Sequence, residues 1–130
     1  METIEVTAAV IRRDGALLIA QRPPGVHLGG LWEFPGGKRE EGETLEACLA
    51  RECAEELGVT VRVGALLRVV EHTYPDRNIK LHFFECALVA GEPSAVGCEA
   101  VLWVAPNEMA AFSFPPADAR LIEDLAAGRI

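Results

Sequence analysis

Three carboxylates on one predicted helix carry the clearest chemical signal in the chain. Glu52, Glu55 and Glu56 fall in the segment Thr44 to Leu57. At ~100° per residue they span roughly 100° of arc, in line with the apolar stripe of Leu45, Cys48 and Leu49. An ordinary amphipathic helix sets its charges opposite such a stripe. Glu52 and Glu56 are instead a like-charge i, i+4 pair, which is mildly destabilising, and all three lie near the negative end of the helix dipole. Helix geometry leaves two readings open. One is a solvated acidic face. The other is a site for a hard divalent cation such as Mg²⁺ or Mn²⁺, which prefers carboxylate oxygens and would remove the repulsion.

The elements that must position these groups follow from pattern and punctuation. Thr3 to Arg12 alternates apolar and polar and predicts a strand, Asp14-Gly15 a hairpin turn, and Ala16 to Ala20 the returning strand. Pro23 to Gly30 reads as a loop, Leu31 to Phe34 as a short aromatic strand, and Pro35-Gly36-Gly37 as its breaker. Thr44 is the expected helix cap and Gly58 the expected C-terminal stop. Val59 to Val70 predicts one or two strands, Pro75 to Asn78 a turn, and Ile79 to Ala90 and Glu99 to Val104 two further strands. Pro106 to Ala111 reads as a helical turn. A last helix runs from about Ala117 to Ala127, with Leu121, Ile122 and Leu125 on one face. Strands interrupted by two helices imply an α/β fold, a mixed sheet with helices on both faces.

Composition narrows the class. With 130 residues, half of them hydrophobic and a quarter charged, the chain reads as one domain, 1–130, with a real core. The net charge of −8 argues against binding a nucleic acid polymer, which needs a basic footprint. One small polyanion remains compatible, given a cation or a local cluster of Arg and Lys. No apolar run is long enough for a membrane span, and the acidic start at Glu2 and Glu5 is unlike a secretory signal, so the expectation is a cytoplasmic protein. Cys48, Cys53, Cys86 and Cys98 form no CxxC pair and read as small hydrophobes in a reducing compartment.

The stretch Gly37 to Val59, GKREEGETLEACLARECAEELGV, resembles the Nudix box. Gly37, Glu43, Arg51, Glu52, Glu55, Glu56, Gly58 and Val59 match its fixed positions, and Cys53 takes a slot usually held by an aliphatic residue. The resemblance implies an α/β/α sandwich around a mixed sheet and hydrolysis of a pyrophosphate bond with Mg²⁺, for which Mn²⁺ substitutes. It implies that Glu52, Glu55, Glu56 and the Gly37 backbone carbonyl bind the metal, with Glu52 helping to activate water. Arg51 and Glu43 would hold those carboxylates in place. A further metal-binding Glu usually comes from a later segment, and Glu99 is the candidate, alongside its reading as a surface charge at a strand start. Lys38 and Arg39 read either as phosphate contacts or as solvated loop charges.

LWEFPGGK at Leu31 to Lys38, PDRNIKLHFF at Pro75 to Phe84 and FPPAD at Phe114 to Asp118 extend the resemblance to the MutT-like branch. That branch implies hydrolysis of nucleoside triphosphates to a monophosphate and pyrophosphate, with preference for oxidised guanine (8-oxo-dGTP or 8-oxo-GTP). Such an activity cleanses the nucleotide pool and so protects DNA. Arg22 and His27 lie where such enzymes contact phosphate or base. Phe34 and Phe84 read as base-stacking rings or as plain core. Asp118 stands where the best-known oxidised-guanine enzymes carry Asn. An ionised carboxylate only accepts hydrogen bonds, so Asp118 must be protonated to match oxidised guanine, whereas the ionised form would accept from the amino group of cytosine. A (d)CTP or modified-pyrimidine pyrophosphatase is therefore the alternative, and a non-catalytic Nudix-fold binding module a third reading. Asp118 also reads simply as a first-turn helix residue. The expected partner is a small nucleotide, and the expected state a monomer or weak dimer.

Overall fold

The structure, a computed structural model, describes residues 2–130. Strand β1 (Thr3–Arg13) turns through Asp14 and Gly15 into β2 (Ala16–Gln21). Both turn residues have positive φ, 51° and 79°, the geometry of a two-residue hairpin loop. After the loop come β3 (Trp32–Glu33), β4 (Gly36–Lys38), α1 (Leu45–Leu57), β5 (Thr60–Tyr74), β6 (Arg77–Ala90) and β7 (Ala100–Val104). Two 3₁₀ turns, Pro106–Ala111 and Pro116–Asp118, lead into α2 (Ala119–Ala126).

The sheet is mixed. β1 runs parallel to β6 and β5 runs antiparallel to β6, while β2 pairs antiparallel with β1, β3 and β7. β1 has two partners on one edge: β4 along Val6–Ala8, then β2 at Arg12–Arg13. Where the partners part, the Ala9 N–H donates to the Pro35 carbonyl at 2.7 Å, and the glycine pair sits at this fork.

Alternate residues of the strands feed two cores. Ala8, Val10, Phe34 and Phe83 pack with Leu121 and Leu125 of α2. Ala9, Ile11, Phe84 and Cys86 pack with Leu49, Cys53 and Leu57 of α1. The architecture is the expected α/β/α sandwich around a mixed sheet. No helix of the described residues is long and apolar enough to cross a membrane.

Two local expectations change. Gly36 and Gly37 do not break the chain; they form β4 against β1. A Cβ on Gly36 would collide with the Thr7 backbone, so the glycines serve close approach, not a turn. β5 is one strand of 15 residues that runs past Val70 to Tyr74, with register irregularities between Thr60 and Val61 and between Val63 and Arg68, and the turn contracts to Pro75-Asp76.

Candidate active site

The helix that carries the carboxylates is capped as its sequence implies. The Thr44 hydroxyl accepts from the Ala47 N–H at 3.0 Å, and Gly58 closes the helix with φ 69°. Cys48, Leu49, Cys53 and Leu57 bury one face. Exposure of the acidic residues is graded, from 17% for the Glu52 side chain to 58% for Glu55. The acidic face therefore runs from the sheet into solvent.

Arg51 organises this face. Its Nε donates to Glu43 Oε2 at 2.6 Å and its Nη2 to Glu43 Oε1 at 2.9 Å, a bidentate fork. Its Nη1 donates to Glu52 at 3.0 Å and to Glu55 at 3.1 Å, and its Nη2 to the Lys38 carbonyl at 3.1 Å. The fork holds the Glu43 carboxyl down at about 2. Arg51 and Glu43 thus pin the loop to the helix, as the Nudix-box resemblance implies. Arg39 donates to the Glu43 carbonyl at 3.2 Å and pairs with Glu5, and so braces the loop.

Two adjoining clefts open beside β4. The acidic one, about 390 Å³, is lined by Arg22, Pro23, Glu33, Gly36, Gly37, Glu52, Glu55, Glu56, Gly97 and Cys98. The second, about 290 Å³, is walled by Val6, Leu28, Phe34, Ile79 and Leu81, with Thr7, His27, Lys38, Tyr74, Arg77 and Asp118 among its polar groups. Arg22, Glu33, Gly36 and Gly37 line both, so the clefts form one groove.

Electrostatics differ along the groove. Burial pushes the Glu56 carboxyl up to about 8, helped by the charges of Glu33 and Glu52 and opposed by the Gly36 backbone N–H and Arg22. Burial also raises Glu52 despite its hydrogen bond from Arg51, and raises Glu33 despite Arg22. This is a crowd of carboxylates short of positive charge, the donor set a hard cation would fit. Among the described residues, no three side chains already stand as a cation-binding group. Glu52 and Glu55 share the Arg51 guanidinium instead.

Asp118 closes the apolar cleft. It is 3% exposed at the end of the second 3₁₀ turn, and burial, then the nearby Glu33 charge, pushes its carboxyl up to about 8. Phe34 stacks on Phe114 at 5.9 Å and meets Phe83 edge-on at 6.0 Å. His27 stands edge-on to Tyr74 at 4.9 Å with its Nε2 buried and unpartnered, and its carbonyl accepts from Arg22 Nε at 2.8 Å. Lys38 is exposed at the rim.

Three expected residues do not reach the groove in the expected way. Phe84 lies on the opposite face of the sheet, in the core beneath α1, because β6 alternates and Phe83 takes the other side. Glu99 is exposed and lines neither cleft; its N–H donates to the Gln21 carbonyl at the start of β7. The Gly37 carbonyl faces β1 and α1, where it accepts from Thr7 Oγ1 at 3.3 Å and Cys48 Sγ at 3.6 Å. What Gly37 gives the acidic cleft is room: a Cβ there would collide with the Glu52 carboxylate. Conversely Glu33, Tyr74 and Arg77 also line the groove, beyond the residues that the motifs mark. Glu33, a lone carboxylate between Trp32 and Phe34 in a short strand, was the available signal.

The NUDIX domain family model matches residues 6–124. The chain is 40% identical over 129 residues to the CTP pyrophosphohydrolase of Escherichia coli K12, covering 99% of this chain and 96% of that protein. It is 33% identical over 126 residues to the 8-oxo-dGTP diphosphatase of the same organism, covering 96% and 98%. The solution structure of the E. coli ORF135 protein superposes with a TM-score of 0.84 at 39% identity, covering 99% of this chain and 92% of that one. The chain belongs to the Nudix family, in its MutT-like branch, and is a nucleotide pyrophosphohydrolase.

Proposed function

We propose that the chain hydrolyses nucleoside triphosphates to a monophosphate plus pyrophosphate with Mg²⁺, Mn²⁺ substituting, and favours oxidised guanine nucleotides. The observation that carries the base preference is Asp118, buried at the end of an apolar cleft with its carboxyl pushed up to about 8. Near neutral pH this group is a carboxylic acid, one donor and one acceptor. It matches the O6 acceptor and N7–H donor of oxidised guanine. Ordinary guanine offers acceptors at both positions and leaves the Asp118 carbonyl facing a lone pair, a mismatch worth ~1–3 kcal/mol.

Cytosine nucleotides are the second reading, favoured by the 40% identity to a CTP pyrophosphohydrolase. The neutral acid also matches the N3 acceptor and amino donor of cytosine. Burial of Asp118 thus alters the expectation that cytosine calls for its ionised form: both bases call for the same proton.

In this reading the base lies against Phe34, Ile79 and Leu81, and the phosphates pass Arg22 and β4 to the acidic face. Glu52, Glu55 and Glu56 would hold the metal, which when bound neutralises phosphate oxygens and makes water more acidic. Glu52, sunk against Gly37 and steered by Arg51, accepts the proton of the attacking water. Arg22, Lys38 and Arg77 offset charge along the chain of phosphates. The water oxygen bonds to phosphorus, the bridging P–O bond breaks, and pyrophosphate leaves.

Chromatography of the products of 8-oxo-dGTP and CTP in Mg²⁺ tests this. A monophosphate and pyrophosphate in equal amounts are expected; a nucleoside diphosphate with inorganic phosphate would overturn the reading.

A further inference from the structure

Thr7 is a hydroxyl where the strand pattern calls for an apolar side chain. It is 1% exposed, and Ala9 and Ile11, its neighbours on the same face of β1, pack in the core under α1. A buried hydroxyl needs a partner. Thr7 Oγ1 has two: the Gly37 carbonyl at 3.3 Å and Cys48 Sγ at 3.4 Å. Cys48, fully buried on α1, reaches the same carbonyl at 3.6 Å. Three elements, β1, β4 and α1, are therefore tied at one backbone oxygen.

That oxygen belongs to the strand on which the acidic face rests. Gly37 lies so close to Glu52 that a Cβ would overlap its carboxylate, and Gly36 lines the same cleft as Glu56. A shift of β4 by a fraction of an ångström changes both spacings together. We propose that Thr7 and Cys48 are positioning residues, which fix the spacing between β4 and α1 and thereby hold Glu52 and Glu56 in the arrangement that binds a divalent cation and turns over substrate. The inference rests on the cation reading above. Thr7 also lines the apolar cleft, but its hydroxyl is engaged by Gly37 and Cys48 and a valine keeps the side chain's shape, so nucleotide binding should be spared.

The test compares Thr7→Val, which keeps shape and strand preference, with Thr7→Ser, which keeps the hydroxyl. Mn²⁺ binding to the full chain without nucleotide is read by electron paramagnetic resonance, and kcat and KM are read separately. Thr7→Val is expected to weaken Mn²⁺ binding and lower kcat by about tenfold each, with nucleotide KM unchanged and Tm lowered by only a few degrees; Thr7→Ser restores both. Cys48→Ala, against Cys48→Ser, gives a smaller loss in the same direction and supplies the comparison if Thr7→Val folds poorly. Unchanged Mn²⁺ affinity and kcat in Thr7→Val and Cys48→Ala, a KM change that matches the kcat change, or no rescue by Thr7→Ser would each overturn the proposal. A parent chain that binds no Mn²⁺ and works in EDTA would overturn the cation reading; a kcat loss in Thr7→Val and Cys48→Ala that Thr7→Ser does not share would still support the positioning role.

Discussion

Glu56→Gln and Glu52→Gln, made singly, are expected to lower kcat by on the order of a hundredfold or more while the fold is kept. Both side chains line the acidic cleft, and both are held above the ordinary carboxylate range by burial. A glutamine keeps the shape and removes the charge a cation needs. The stability effect has the opposite sign. The folded-state pKa of Glu56 is raised, so its contribution to stability is complete below the ordinary carboxylate range and is lost as pH rises through about 8. Without added cation, Glu56→Gln should therefore match or exceed the parent Tm at pH 8 to 9. Steady-state kinetics with a circular-dichroism melt check both parts. Near-normal turnover by either variant, or turnover by the parent in excess EDTA, would contradict the assignment.

Asp118→Asn is expected to flatten the response to pH, and so to change the ranking of bases above about pH 8, while leaving the metal requirement alone. On the proposed reading the neutral acid of the parent binds the base, so affinity for both oxidised guanine and cytosine nucleotides is expected to fall as pH rises through about 8. The asparagine amide has no proton to lose, and its profile should be flat over that range. Its amide still offers a donor and an acceptor, so oxidised guanine remains a substrate. The same sign holds for folding. Unfolded Asp118 ionises in the ordinary range and the folded group does not, so parent stability declines between that range and about 8, a slope that Asp118→Asn removes. Values of kcat/KM for four nucleotides from pH 6 to 9, with Tm over the same range, measure this. An unchanged base ranking with an unchanged pH profile would mean that Asp118 does no more than lead into α2.

The readable parts of the site were those built on periodicity and fixed spacing. α1, its caps and the acidic face follow from helix periodicity within one short segment, whereas the Arg51–Glu43 fork, which ties the loop before α1 to the helix, is implied by the resemblance to the Nudix box. Both helices and the mixed sheet follow from binary pattern. Side-chain direction across the sheet was less readable. Phe83 and Phe84 are adjacent and equally apolar, and only pairing with β1 decides which one faces α2. The Gly36-Gly37 pair has the composition of a turn, and its use as a close-packed strand depends on Thr7, some thirty residues away. Glu33 faces the groove because β3 pairs with β2. Asp118 is marked by its motif, but its raised carboxyl pKa comes from burial, which no local pattern states.

The most direct test of the central claim is the ratio of kcat/KM for 8-oxo-dGTP to that for dGTP, at pH 7 in Mg²⁺. The two substrates share their phosphates and sugar and differ at the edge that a neutral Asp118 would read. A ratio of roughly ten to a hundred is expected from one buried hydrogen-bond mismatch. Equal hydrolysis of the two would contradict the account.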